Sequence, residues 1–334
     1  PPNDCIIHVR LKDNDTLLQQ QVLGIIGVNL IYGCFYLYND PESLLNSLLD
    51  EVSSLRAEID FFRLDGPDFA NVDHRIFSLK LVKNGLTNAT IFGPDGTVLQ
   101  PAEVLYKKNI LVLRGRFRPV TKVHLDMLAN GYQQFVNEPD VDADKIITFA
   151  ELTLNDLTDP AKGEIDEKDY LDRVNILCSL GLNVIISNYM EYYRLIPYLS
   201  RFTRKRKIGM ILGVNNVKTI FLESYYKKLR GGILEAFGVL FGSNLKLYVY
   251  PSFKPGTQQI MQTADLELPE HLSPLYQYLL LNQRIEDIEG FNQNHLHIIS
   301  DEVLVMIKEY DKRWEEMLPP EIVKMIKEKK LFNY

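Results

Sequence analysis

Short apolar blocks alternate with stretches of helical spacing through most of the chain. Strands are expected at residues 5–11, 58–64, 89–92, 110–114, 146–152, 184–187, 208–212 and 245–250, where Val, Ile, Leu and Phe concentrate. Helices are expected between them at 17–37, 41–55, 75–84, 122–136, 167–180, 191–204, 217–229 and 233–241. From residue 110 onward every apolar block is separated from the next by a helix, which is how buried parallel strands with crossover helices read. After about residue 256 charged helical segments take over (271–282, 302–310 and 320–329). There Trp314 and Met317, three residues apart, are expected to anchor this tail on the main body.

This pattern predicts an α/β protein with a Rossmann-like, mostly parallel sheet, helices on both faces and a helical C-terminal tail. Three parts are expected: an N-terminal α/β region (1–103), a Rossmann-like nucleotide-binding domain (104–255) and a helical C-terminal extension (256–334). Because eight strands can be counted, a (β/α)8-like barrel is the alternative. Residues 93–109 weigh against it, since the tight turn Gly93-Pro94-Asp95-Gly96 and Pro101 leave no crossover helix there. In either architecture the site gathers at the carboxyl ends of the parallel strands.

Composition narrows the partners. A net charge of −7 and a pI near 5.5 exclude a general nucleic-acid binder, which needs a basic face. The longest apolar run, 22–37, is interrupted by Gly24, Gly27, Asn29 and Gly33, so a buried helix is expected and no membrane span. Three widely spaced cysteines read as reduced thiols, pointing to the cytoplasm or another reducing compartment. The chain opens on Pro1-Pro2 without Met, so a natural N-terminus, with any targeting segment, is expected upstream.

Candidate chemistry concentrates where the strand at 110–114 runs into Gly115-Arg116-Phe117-Arg118-Pro119-Val120-Thr121-Lys122-Val123-His124. A strand, an Arg-bearing Gly/Pro turn and a helix N-terminus make an anion site, and a nucleotide is the first ligand to consider. Arg114, Gly115, Arg116 and Arg118 are the phosphate-binding candidates, joined by Ser187, Asn188 and Glu191 after the strand at 184–187. His124, Thr121 and Glu151 are the candidate catalytic groups. Each has an ordinary structural alternative: ion pairs for the arginines and Glu151, helix capping for Ser187 and Asn188, a helix-face hydrogen bond for His124. His295 and His297 lack neighbours at ligand spacing, and no protein metal site is expected.

Residues 115–124 resemble the Gly-Arg-Phe-x-Pro-x-His-x-Gly-His signature of nicotinamide mononucleotide adenylyltransferases. Gly115, Arg116, Phe117, Pro119 and His124 match in register, while Thr121 and Val123 stand at the first histidine and the glycine. A second signature of those enzymes has no counterpart, its nearest candidate, residues 200–204, falling at a helix end. More widely, residues 24–33, 101–108, 118–121, 186–195 and 231–235 look like an uncharacterised bacterial family whose members, longer at the N-terminus, are described as nicotinate/nicotinamide mononucleotide adenylyltransferases. Other members are described as TonB-dependent receptors, a description at odds with βα alternation. The resemblance implies adenylyl transfer from ATP to a mononucleotide, with Mg²⁺ accompanying ATP, no tightly bound cofactor and a role in NAD biosynthesis. The alternative is a non-catalytic α/β scaffold or assembly factor that binds a partner protein. A homo-oligomer is compatible with both.

Overall fold

The computed structural model describes residues 2–159 and 163–334. Its strands are β1 (Asp4–Leu11), β2 (Ala57–Asp65), β3 (Ala89–Phe92), β4 (Val98–Leu99), β5 (Asn109–Arg114), β6 (Ile146–Thr153), β7 (Asn183–Ser187), β8 (Ile208–Gly213), β9 (Leu245–Tyr250), β10 (Ser252–Phe253), β11 (Ile260–Met261) and β12 (Ile285–Asp287). The helices are α1 (Thr16–Tyr36), α2 (Pro41–Ser47), α3 (His74–Lys83), α4 (Pro101–Val104), α5 (Lys122–Val136), α6 (Leu154–Leu157), α7 (Glu167–Ser179), α8 (Tyr192–Thr203), α9 (Val214–Ile220), α10 (Gly232–Gly242), α11 (Ser273–Leu281), α12 (Ser300–Lys308) and α13 (Pro320–Lys329).

An eight-stranded open sheet in the order β12-β9-β8-β5-β6-β7-β3-β4 forms the body, so the Rossmann-like α/β reading holds and the closed barrel does not. The six strands from β12 to β7 are parallel, and β3 and β4 close one edge antiparallel. The turn at residues 93–96 explains that edge: it folds β4 back on β3 as a hairpin, so no crossover helix is needed. Eight strands were expected and twelve are described; the eight of the large sheet are not the eight expected. β1 and β2 pair with each other outside the large sheet, while β4 and β12 complete it. Residues 89–99 and 285–287 therefore extend the sheet formed within 104–255 rather than standing apart from it.

Side chains alternate across each central strand. Leu111, Leu113, Ala150, Leu152 and Tyr248 face a core shared with α5, α7, α12 and α13, where Trp314 is buried. Ile110, Val112, Phe149, Met210 and Leu247 face the opposite core, under α8, α9, α10 and α11. Helix α5 approaches the sheet closely because Gly131 has no side chain: a Cβ there would lie 2.5 Å from Ile211 Cδ1.

The N-terminal unit packs α1, α2 and part of α3 on the β1/β2 ribbon. It corrects the expectation of a buried helix. Only Val22, Ile26 and Gly33 of α1 are fully buried, whereas Leu17, Val28, Ile31, Phe35 and Tyr36 are more than 60% exposed. Among the described residues α1 is also the one helix long and apolar enough to cross a membrane by length and composition. The expected interruptions do not break it, since Gly24, Gly27 and Asn29 all lie within the helix.

Candidate ligand site

Leaving β5, the Gly115 N–H donates to the Glu151 carbonyl at 3.2 Å, and the chain reverses through Phe117 in the left-handed region (φ 47°). The Phe117 ring is fully buried and folds back over Gly115, where a Cβ would stand 3.2 Å from the ring. The Arg118–Pro119 peptide that follows is cis. The Phe117 ring therefore packs against the backbone where the turn leaves β5.

Helix α5 begins at Thr121, which is buried. The Thr121 N–H donates to His124 Nδ1 at 3.0 Å, and the Thr121 hydroxyl lies at the same distance from that nitrogen. This is the reciprocal arm of a capping box, with His at the third helical position in place of Glu or Gln. Accepting an N–H requires Nδ1 to be unprotonated, so the ring is neutral with its proton on Nε2. Burial pushes the His124 pKa down to about 4, in keeping with that state. His124 and Thr121 thus satisfy each other at the helix start, packed beside Phe117 at a ring separation of 5.2 Å.

Arg114 and Glu151 meet across neighbouring strands. Arg114 Nε and Nη2 donate to the two Glu151 oxygens at 2.8 and 2.9 Å. The guanidinium also donates to the carbonyls of Tyr189 (3.0 Å) and Met190 (2.9 Å) and lies 4.3 Å from the Tyr192 ring. Ser187 donates its hydroxyl to Glu151 at 2.6 Å. Four of the five N–H groups of Arg114 are committed. Burial opposes its charge, but Glu151 outweighs burial and raises its pKa. The pair forms a strut that joins the carboxyl ends of β5, β6 and β7.

A cavity of about 160 Å³ lies beside the strut, lined by Arg114, Asp156, Glu191, Tyr192 and Tyr226 among others. Glu191 Oε2 is buried there without a hydrogen bond, 3.6 Å from Arg194 Nη1. Asn188 is exposed, and its N–H extends sheet pairing to the Asn88 carbonyl. Of the residues expected to bind an anion, Arg114, Ser187 and Glu191 come together here with Glu151.

Arg116 and Arg118 turn elsewhere. Arg116 pairs with Asp301 of α12 at 3.2 Å, and Arg118 with Asp169 of α7 at 2.6 Å. Asp169 is shared with the buried Arg173, which also donates to the carbonyls of Arg116 and Asp156. The surrounding cavity of about 260 Å³ is lined by three arginines and five carboxylates, Asp156, Asp159, Glu164, Asp166 and Asp169. That surplus of negative charge opposes a phosphate. The sequence offered one clue to this network, the Asp169/Arg173 spacing of four on a helix.

A larger crevice opens where the strand order reverses. β5 is followed in the chain by β6 on one side, whereas β8 returns to its other side. Over the carboxyl ends of β8 and β9 lies a cavity of about 990 Å³, walled by Val123 and Met127 of α5, Gly213, Asn215 and Asn216 after β8, residues 250–258, and residues 296–299. Asn215 and Asn216 are exposed into this region, and the Asn215 amide donates to Ser252 Oγ at 3.4 Å. Tyr250 is fixed by a 2.5 Å bond to Asp126 and an edge contact with Phe291. Among the described residues the lining contains no carboxylate, and its one lysine, Lys254, pairs with Asp265 at 3.1 Å. The β9–β11 turn was not singled out for binding in the sequence, because no periodic or motif signal marks it, and His297 was weighed only with His295 as a metal pair.

No family model matches the chain, and no curated protein matches it. Among solved structures, it is similar to the Plasmodium falciparum nicotinic acid mononucleotide adenylyltransferase complexed with APC, at 12% identity and a TM-score of 0.42. That alignment covers 68% of this chain and 98% of the other.

Proposed function

We propose that the protein binds a nucleotide in the crevice at the β5/β8 reversal, without adenylyl transfer by the turn after β5. The carrying observation is the crevice's position: in open α/β sheets ligands bind outside the carboxyl ends of the strands at the topological switch point. Its volume of about 990 Å³ suits a nucleotide-sized ligand. Amide side chains of Asn215, Asn216 and Gln258 offer donors and acceptors for base and ribose, and Phe253 offers an apolar face.

The absence of transfer is supported by the β5 turn. Transfer of an adenylyl group relies on cations and donors aimed at the phosphates. Here Arg114, Arg116 and Arg118 each hold a carboxylate, and His124 stays neutral in its cap. Mg²⁺ finds no carboxylate in the crevice lining, and among the described residues no cluster of three His, Cys, Asp or Glu could hold it. The metal would arrive only on the nucleotide's own phosphates.

Thermal-shift measurements with ATP, AMP, NAD and nicotinamide mononucleotide test this reading. At least one should raise the melting temperature, and Asn216→Trp, which sets an indole in the crevice wall, should abolish the rise. Pyrophosphate release from ATP with nicotinamide mononucleotide should stay at background. Turnover that is lost in His124→Ala would overturn the proposal.

A further inference from the structure

The exposed face of α1 carries a regular seam. Leu17, Gln21, Gly24, Val28, Ile31 and Phe35 are spaced by alternating steps of four and three, the heptad repeat of a coiled coil, and all six are exposed. They lie opposite Val22, Ile26 and Gly33, which pack on the N-terminal unit. We propose that this seam pairs two copies of the chain through antiparallel α1 helices.

Three observations select that occupant. The first is area. Leu17, Val28, Ile31, Tyr32, Phe35 and Tyr36 are 68, 65, 61, 53, 74 and 72% exposed. Leu17, Val28, Ile31 and Phe35 on the seam offer on the order of 500 Å² by side-chain size, with Tyr32 and Tyr36 flanking it, which places the contact at the small end of specific interfaces. The second is charge. None of the 21 residues of α1 is Asp, Glu, Lys or Arg, so a charged partner groove finds nothing to pair with. The missing Lys and Arg also set α1 apart from helices that lie in a membrane surface.

The third is self-complementarity. A two-fold axis beside position 26 sets residue 17 against 35 of the second copy, 21 against 31, and 24 against 28. Every layer then pairs a larger with a smaller side chain: Phe35 with Leu17, Ile31 with Gln21, Val28 with Gly24. Gly24 has nothing within 4 Å of its notional Cβ, so the facing Val28 has room. Such an isologous contact closes on itself as a dimer.

Light scattering with size exclusion on the chain, across a concentration series, should give a dimer. Val28→Glu and Ile31→Glu, both on the exposed seam, should give monomers with an unchanged far-UV spectrum. Orientation is read by mixing Leu17→Cys with Phe35→Cys chains under mild oxidant. The mixture should cross-link, and neither variant alone should exceed the native chain. Residues 17 and 35 of one helix are about 27 Å apart, too far for an internal bridge. A monomer at every concentration, cross-linking by Leu17→Cys alone, or a monomer that co-sediments with phosphatidylcholine/phosphatidylglycerol vesicles would each overturn the proposal.

Discussion

At the scale of single residues, His124 and Arg114 show how the same amino acids serve binding or structure according to what surrounds them. His124 titrates near 6.5 in an unfolded chain and is held to about 4 in the fold. Between those values the unfolded chain takes up the proton and the folded one does not. The stability contributed by the neutral ring is complete above about pH 6.5 and is lost as pH falls toward 4. His124→Gln keeps an acceptor for the Thr121 N–H and does not titrate. Its melting temperature should therefore fall less than that of the native chain between pH 6.5 and 4, and parallel curves would contradict a ring held neutral in the fold. Arg114→Ala strands Glu151, which has no solvent exposure, and should destabilise the fold by about 3–5 kcal/mol in urea titrations. A loss below about 1 kcal/mol, the range of exposed pairs, would show that the strut is solvated.

At the scale of elements, the strands were the most legible part. The four- and six-residue runs expected at 89–92 and 245–250 coincide with β3 and β9, and helix α5 matched residues 122–136 throughout. Errors arose where tertiary contacts override local spacing. The helix expected at 41–55 stops at Ser47, and the chain then turns so that Val52 enters the small core. The helix expected at 217–229 begins instead at Val214 and ends at Ile220, whose carbonyl accepts the Tyr226 hydroxyl at 2.5 Å. β4 and β12, two and three residues long, are too short for any periodic signal. The candidate site was legible in its types and not in its pairings. Arg114, Glu151 and Ser187 were seen at strand ends, but which carboxylate each arginine would take depends on strand order. Helix α5 also carries a test of packing: Gly131→Val drives a side chain into Ile211 and should cost about 1–3 kcal/mol. Unchanged stability would mean α5 can lift from β8.

At the scale of the whole molecule, the two proposed binding surfaces lie on different elements. The carboxyl ends of β8 and β9 hold the crevice, while α1 lies in the separate N-terminal unit and presents its seam outward. Dimerisation through α1 should therefore leave nucleotide affinity unchanged, and Val28→Glu monomers should bind as the native chain does. Chelation should leave the melting temperature of the nucleotide-free protein unaltered, because no described cluster holds a metal. A fall on adding a chelator would point to a metal within the fold.

The central claim is where the nucleotide sits, and calorimetric titration of the best-binding nucleotide into three variants tests it most directly. Asn216→Trp should lose binding, while Arg116→Ala and His124→Gln should keep affinity within about threefold, under 1 kcal/mol. Full affinity in Asn216→Trp together with loss in Arg116→Ala would move the site to the arginine turn and contradict the account.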